Sequence, residues 1–229
     1  MDAARLHRPQ ARKERGETLI EGPHLLADAV AAGVTIKTVF ALAAVEAPVD
    51  TVLVDDRALA RLAGTESPRG PVAVIEIPQP EEPGEGDLLI SYGISDPGNV
   101  GTLIRTAASF GWSFGYTKGS ADPWSPKVLR SGAGGQFHTQ VIRLGGLPDI
   151  PVVAAVVTGG GSLTEVVEER VAVLIGEEAA GLPAAVADGA KYKVTIPTTG
   201  PTQSLNAAVA SGIIVYELSK RKRIQVGQV

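Results

Sequence analysis

Val194–Glu217 reads VTIPTTGPTQSLNAAVASGIIVYE. A β-branched run stops at Pro197, a Pro/Gly/Thr loop follows, and an apolar segment rich in small residues comes next. The spacing predicts a strand over 193–196 and a helix over 204–218. Ser204 and Asn206 fall at the helix start, where a short polar side chain caps free N–H groups; capping alone accounts for both. Ala207, Ala208, Ala210, Ser211 and Gly212 give the helix a face for close packing, against the core or a second subunit.

Working outward, Val173–Pro183 (VLIGEEAAGLP) has a strand ending in Gly176, then Glu177 and Glu178, then a turn at Gly181-Leu182-Pro183. Adjacent acids there can bind hydroxyls or steer a base, or simply sit at the positive end of a helix. Further upstream, Asp96–Gly111 (DPGNVGTLIRTAASFG) opens with a tight turn and runs into a helix with Leu103, Ile104, Ala107 and Ala108 inside. Arg105 is the only charge in that helix over 100–110, so it requires either solvent or an anion. Each of the three segments follows an apolar strand, the place where open α/β sheets put their ligands.

Strands are predicted over Asp87–Tyr92, Gln140–Arg143, Val152–Val157, Val171–Ile175 and Lys193–Ile196. Helices are predicted over Val100–Phe110, Pro126–Ser131, Leu163–Glu168 and 204–218. The alternation implies a parallel sheet covered on both faces. Gln79–Asp87 (QPEEPGEGD) reads as a linker dividing the chain into 1–80 and 87–229. The first part reads as a small α/β domain: helix Pro23–Ala32, strands Lys37–Phe40 and Thr51–Val54, helix Arg57–Leu62, strand Val72–Ile77. Gly132–Gly135 and Gly159–Gly161 read as turns.

With no cysteine, disulfides, thiolate zinc sites and cysteine nucleophiles are excluded, and three scattered histidines (His7, His24, His138) make a metal site unexpected. No apolar run reaches membrane-spanning length and the basic N-terminus lacks a signal-peptide core, so a cytoplasmic protein is expected. A net charge of −4 argues against nucleic acid only in bulk, because phosphate is met by patches. Two basic patches occur, at residues 5–15 and at Lys220–Arg223. The G-x-G-x-x-G, Walker, H-E-x-x-H and G-x-S-x-G fingerprints are absent, which removes support for a dinucleotide-binding oxidoreductase.

The three segments, ambiguous singly, combine. N-V-G-x-x-x-R-T-A, I-G-x-E-x-x-G-L and I-P-x-x-G-x-x-x-S-L-N-x-x-V-A, in this order, closely resemble the motifs of the SpoU (TrmH) family of RNA 2′-O-methyltransferases over about residues 87–218. Ser125–Ser131 with Ala133, Gly134 and Phe137 is similar as well. Arg12–Gly16 with Leu19–Gly22, and Arg69-Gly70, resemble the ribosomal-protein-like substrate-binding domain fused to many members.

The resemblance implies an α/β fold: a C-terminal trefoil-knot methyltransferase domain over 87–229 with a parallel sheet, plus a small N-terminal RNA substrate-binding domain over 1–80. It implies S-adenosylmethionine as methyl donor, a ribose 2′-hydroxyl of RNA as acceptor, and a homodimer packed through the knot. Arg105, Asn99, Glu178, Ser204 and Asn206 match the catalytic positions, with Ser204 and Asn206 expected to shape the pocket and orient Arg105. Gly176, Ile196, Leu205, Gly181, Gly200 and Ile175 match the cofactor loops, where backbone groups and apolar side chains hold adenine. Arg12, Lys13, Arg15, Arg69, Lys127 and Arg130 are candidate RNA contacts. Glu177 stands where Asn or Ser is frequent, Ala179 where Gly is, Thr198 for a common Met, and Gln203 where an acid or small residue is usual. The added N-terminal module favours 23S rRNA over tRNA. A non-catalytic RNA-binding relative is the competing reading, against which the intact Asn99, Arg105, Glu178, Ser204 and Asn206 count.

Overall fold

The computed structural model describes residues 2–65, 67–68, 70–79, 84–201 and 204–226, and side chains as far as Arg221. Arg69, Gln203 and the middle of the expected linker lie outside the described residues.

A 3-10 turn at Ala3–His7 leads into α1 (Pro9–Arg15), β1 (Glu17–Glu21), α2 (Pro23–Ala31), β2 (Ile36–Ala41), β3 (Thr51–Leu53), α3 (Asp56–Ala63) and β4 (Val72–Glu76). The strands form one sheet in the order β1-β4-β2-β3, antiparallel except for the β2–β3 pair. Asp55 starts α3 by accepting from Ala58 N at 2.7 Å. That leaves Leu59, Leu62 and Ala63 on the buried side, packed with Leu6 and Leu19.

The chain continues with β5 (Leu88–Tyr92), α4 (Pro97–Ser109), β6 (Ser113–Tyr116), α5 (Pro126–Ser131), β7 (Val141–Arg143), β8 (Val152–Ala155), β9 (Ala172–Gly176), α6 (Ala184–Asp188), β10 (Tyr192–Val194) and α7 (Ala207–Val226). Six parallel strands pair in the order β10-β8-β9-β5-β6-β7. The central strands are apolar along their length because both faces are covered. Alternate residues serve the two sides. Leu89, Val173 and Ile175 join the core with α4 and α7, whereas Leu88, Ile90, Ala172 and Leu174 pack toward Leu182 and Val186. From β5 the chain builds one side of the sheet through β6 and β7, and then returns to build the other. The strand order reverses beside β5, so the crevice opens at the carboxyl ends of β5 and β9.

The two sheets share a core. Ile20, Leu26, Val39 and Ile75 of the first belong to the same buried cluster as Leu103, Phe114, Leu129 and Val215 of the second. Each such side chain contributes about 1.5–3 kcal/mol when fully buried, so the N-terminal unit is docked, not tethered. Even the described end of the linker is held: Gly84 N donates to Gln140 Oε1 at 2.6 Å, and Arg170 donates to Gly84 O at 2.6 Å and Gly86 O at 3.0 Å.

Several expectations shift. The helix expected over Leu163–Glu168 is a single 3-10 turn, Leu163–Glu165, closed by a Ser162/Glu165 capping box. The last helix starts at Ala207, because Asn206 caps it. Four elements had no counterpart in the sequence reading: α1, β1, β6 and α6.

Candidate active site

A pocket lies where the ends of β8, β9 and β10 meet the start of α7. Val156, Ile175, Ile196, Leu205 and Ile214 supply its apolar walls. The turn after β9 is closed by Gly181 N donating to Glu177 O at 2.8 Å, with Gly181 at φ 64°. A Cβ on Gly176 would stand 2.6 Å from Gly181 O and Leu182 N, so only glycine lets the turn fold back onto its own strand.

A second crossing forms the other side. Gly161 N donates to Lys193 O at 2.8 Å and Thr195 N to Gly161 O at 3.1 Å. Thr195 Oγ1 accepts from Gly160 N at 2.9 Å and donates to Val156 O at 3.1 Å. A Cβ on Gly160 would lie 2.5 Å from Val194 C. Gly159–Gly161, read from sequence as a simple turn, is therefore a contact surface for the strand that leads to α7.

At the pocket rim the polar residues of three separate segments join. Asn99 Nδ2 donates to Glu178 Oε1 at 3.1 Å, and Asn206 Nδ2 donates to Asn99 Oδ1 at 3.0 Å and also to Glu178 Oε1. Asn206 Oδ1 accepts from Ala208 N at 2.9 Å and Val209 N at 3.2 Å, which fixes its amide orientation. Ala207 N donates to Glu178 Oε1 at 3.3 Å, so the carboxylate sits at the positive end of α7. Asp96 starts α4 by accepting from Asn99 N at 2.7 Å, holding Asn99 in place. Capping and cluster membership are both true of Asn206.

Of the cofactor candidates, Gly176, Ile196, Leu205, Gly181 and Ile175 line the pocket, as do Glu178 and Ser204; Gly200 is exposed outside the lining. Arg105 is also outside it, exposed on α4. It stands about 120° around the helix from Asn99, six residues away. Its flank faces α5: a Cβ on Gly101, one turn earlier, would meet Gly132 N at 2.7 Å, and one on Gly135 would meet Arg105 Cα at 3.0 Å. Among the described residues no hydrogen bond joins Ser204 or Asn206 to Arg105. Asn206 is engaged by Asn99, Glu178 and the helix start, and the Arg105 guanidinium has no hydrogen bond or ion pair among the described residues.

The RNA candidates separate. Arg12 is 2% exposed. Its guanidinium donates through Nε (2.9 Å) and Nη2 (2.5 Å) to Asp122 Oδ2, and through Nη1 to Leu6 O (2.8 Å) and His7 O (3.0 Å). It is a tie between the two sheets, and the reading of it as an RNA contact is corrected: burial and the pairing with Asp122 keep it from phosphate. Thr18 Oγ1 donating to Trp124 O at 2.6 Å and the His138–Asp28 contact at 2.8 Å add to the same junction. Arg15 pairs with Glu17 and Asp2, and Arg130 with Glu21, on more exposed surface. Lys13 and Lys127 are exposed. In the basic tail, Arg221 donates to Glu168 O at 2.9 Å and Leu218 O at 2.8 Å, a structural role.

Sequence reasoning missed Val156 and Val157 just after β8, along with Ala207, Ala210 and Ile214 on the inner side of α7. The signal was an apolar strand running into three glycines, visible at 152–161.

Fold and pocket define an S-adenosylmethionine-dependent RNA ribose methyltransferase. The chain belongs to the SpoU rRNA methylase family, whose model matches residues 88–216, and residues 2–73 match an MRM3-like substrate binding domain. It is 33% identical to an uncharacterized tRNA/rRNA methyltransferase of Synechocystis, over 95% of this chain and 89% of that one. It is 30% identical to the Bacillus subtilis 23S rRNA (guanosine(2553)-2′-O)-methyltransferase RlmP, over 95% and 94%. Among solved structures, the AdoMet complex of the SpoU methyltransferase AviRb from Streptomyces viridochromogenes superposes with a TM-score of 0.84 at 26% identity, covering 97% of each chain. An AdoMet-bound rRNA methyltransferase from Sinorhizobium meliloti gives 0.81 at 27%, over 96% of this chain and 93% of that one. The fold is the trefoil knot. The pocket fits the cofactor: apolar walls suit an adenine ring, and the charged lining among the described residues is acidic, complementary to a sulfonium.

Proposed function

We propose that this enzyme methylates a ribose 2′-hydroxyl of 23S rRNA, working in the cytoplasm as a homodimer. Residues 1–80 would hold the RNA and 87–229 carry the chemistry. The observation that carries the reading is the Asn99–Glu178–Asn206 cluster at the mouth of the pocket. The near full-length likeness to a 23S rRNA methyltransferase and the match to a substrate-binding domain support the choice of RNA.

When bound, S-adenosylmethionine supplies an already activated methyl electrophile. The chain must align the hydroxyl with it and lower the cost of the developing alkoxide. Gly176, Gly181 and Leu205 shape the cofactor loops, and Ile175 and Ile196 would offer apolar walls to the ring. Asn99 and Asn206 keep the rim in one geometry, with Glu178 as their shared acceptor, and Ser204 lines the pocket beside them. Arg105 is the exposed guanidinium assigned to the alkoxide; arginine is a poor base, so its role is electrostatic. Lys13 and Lys127, with Arg15, Arg130 and Arg69, are the candidate phosphate contacts.

The dimer reading rests on an apolar stripe. Val209 (52% exposed), Ile213 (37%) and Tyr216 (48%) line one side of α7, and Phe110 stacks edge-on against Tyr216 at 6.3 Å. Such a stripe on the final helix is covered in a symmetric pair. Phe110 at its end is five residues from Arg105 along the same segment, which supports putting that residue near the seam.

Mapping ribose methylation in total RNA from cells with and without the gene tests the assignment. One 23S rRNA nucleotide should lose its methyl group; a loss confined to tRNA overturns the substrate. Arg105→Ala should leave the cofactor Kd within about twofold and lower turnover by about 100-fold or more. Unchanged turnover removes Arg105 from the chemistry.

A further inference from the structure

We propose that Glu177 selects the charge state of the cofactor: it favours the sulfonium donor over the neutral thioether left after transfer. The proposal rests on the pocket reading given above.

Glu177 and Glu178 are the only charged residues lining the pocket among the described residues. Their situations differ. Glu178 Oε1 accepts N–H groups from Asn99, Asn206 and Ala207 at the start of α7, so its charge is answered locally. Glu177 accepts a single bond, from Ser95 Oγ to Oε1 at 3.1 Å, and has no ion pair among the described residues. Ser95 follows β5 and Glu177 follows β9, neighbouring strands at the crevice. Both residues are exposed, and the bond between them favours a position of the unanswered carboxylate at the pocket mouth.

Methyl transfer changes the ligand's charge at this site. The S–CH3 bond breaks and its electron pair returns to sulfur. The O–CH3 bond forms and the hydroxyl proton leaves to a base. The donor enters carrying a sulfonium and the product leaves as an uncharged thioether. A carboxylate attracts the first and is indifferent to the second, so it tightens the donor's binding relative to the product's. Glu178, already answered by its three donors, contributes less of this preference.

Glu177→Gln removes the charge and keeps an oxygen for Ser95. Isothermal calorimetry with S-adenosylmethionine and with S-adenosylhomocysteine, at low and moderate salt, reads the effect. The donor Kd should rise about three- to fivefold, the size of one partly exposed charge pair, while the product Kd stays within about 1.5-fold. The difference from wild type should narrow as salt rises. A donor-to-product affinity ratio equal to that of the wild type overturns the proposal, whether both affinities fall together or neither moves. A thermal melt matching the wild type separates charge loss from misfolding. If the wild-type protein binds neither ligand, the pocket reading itself fails and takes this proposal with it.

Discussion

The cofactor pocket and the junction between the two sheets are both built where distant segments cross, yet they use opposite materials. At the pocket the crossings are backbone on backbone. Gly176 closes over Gly181 and Leu182, and Gly160 lies against Val194 and Thr195. At the junction the crossings are made by side chains: Arg12 reaches Asp122, Thr18 reaches the Trp124 carbonyl, and a shared apolar cluster fills the rest. The difference teaches where a substitution will be felt. A pocket of backbone fails when anything is added, whereas a junction of side chains fails when something is taken away.

The largest test of that contrast is Gly176→Ala. A single methyl group, placed 2.6 Å from Gly181 O, should raise the cofactor Kd at least about tenfold. Retained affinity in calorimetry would break the comparison at its stronger end. Arg12→Ala should cost about 3 kcal/mol in urea unfolding, because Asp122 and two backbone carbonyls lose their donors together. Its effect on cofactor affinity should be small. Lys13→Ala, one residue away and exposed, sharpens the point. It should leave stability within about 0.5 kcal/mol and lower the log–log salt slope of RNA binding by about 1. A Lys13 variant that unfolds early, or an Arg12 variant that does not, reverses the assignment of the two cations.

The smallest expected effect concerns pH. The Glu168 carboxyl is held below the usual carboxylate range, chiefly by its hydrogen bond from Lys191 and further by that from Tyr192. A depressed folded-state value means that the contribution is present above the unfolded value of 4.5 and is lost as pH falls through the folded one. Glu168→Gln should therefore flatten the dependence of melting temperature on pH below about 4.5. An unaltered acid limb shows that the pair contributes nothing.

The same contrast explains what could be read without coordinates. The parallel sheet was legible because β5 and β9 are continuous apolar runs, which only strands covered on both sides tolerate. The cofactor candidates Gly176, Gly181, Ile196 and Leu205 were named through the family resemblance, and they line the pocket. Arg12 was misread because a basic run on a short N-terminal segment looks like a phosphate patch. Nothing local announces that its partner is Asp122, 110 residues on. Strands β1 and β6 escaped for a related reason. Five and four residues long, they are specified by the strands they pair with more than by their own pattern. The Leu163–Glu168 spacing mimicked a helix, but Ser162 and Glu165 close on each other after one turn.

The passage of Thr195 beside Gly160 sets an order of events. Chains are made from the amino end, so β5 through β9 exist before the residues that must slip past them. Ile214, Val215 and Leu218 of α7 fill the core last, and the wall of the pocket arrives with them. Without α7 the pocket loses the wall that Ala207, Ala210 and Ile214 supply. Methyl-donor affinity is thus a gauge of completed threading.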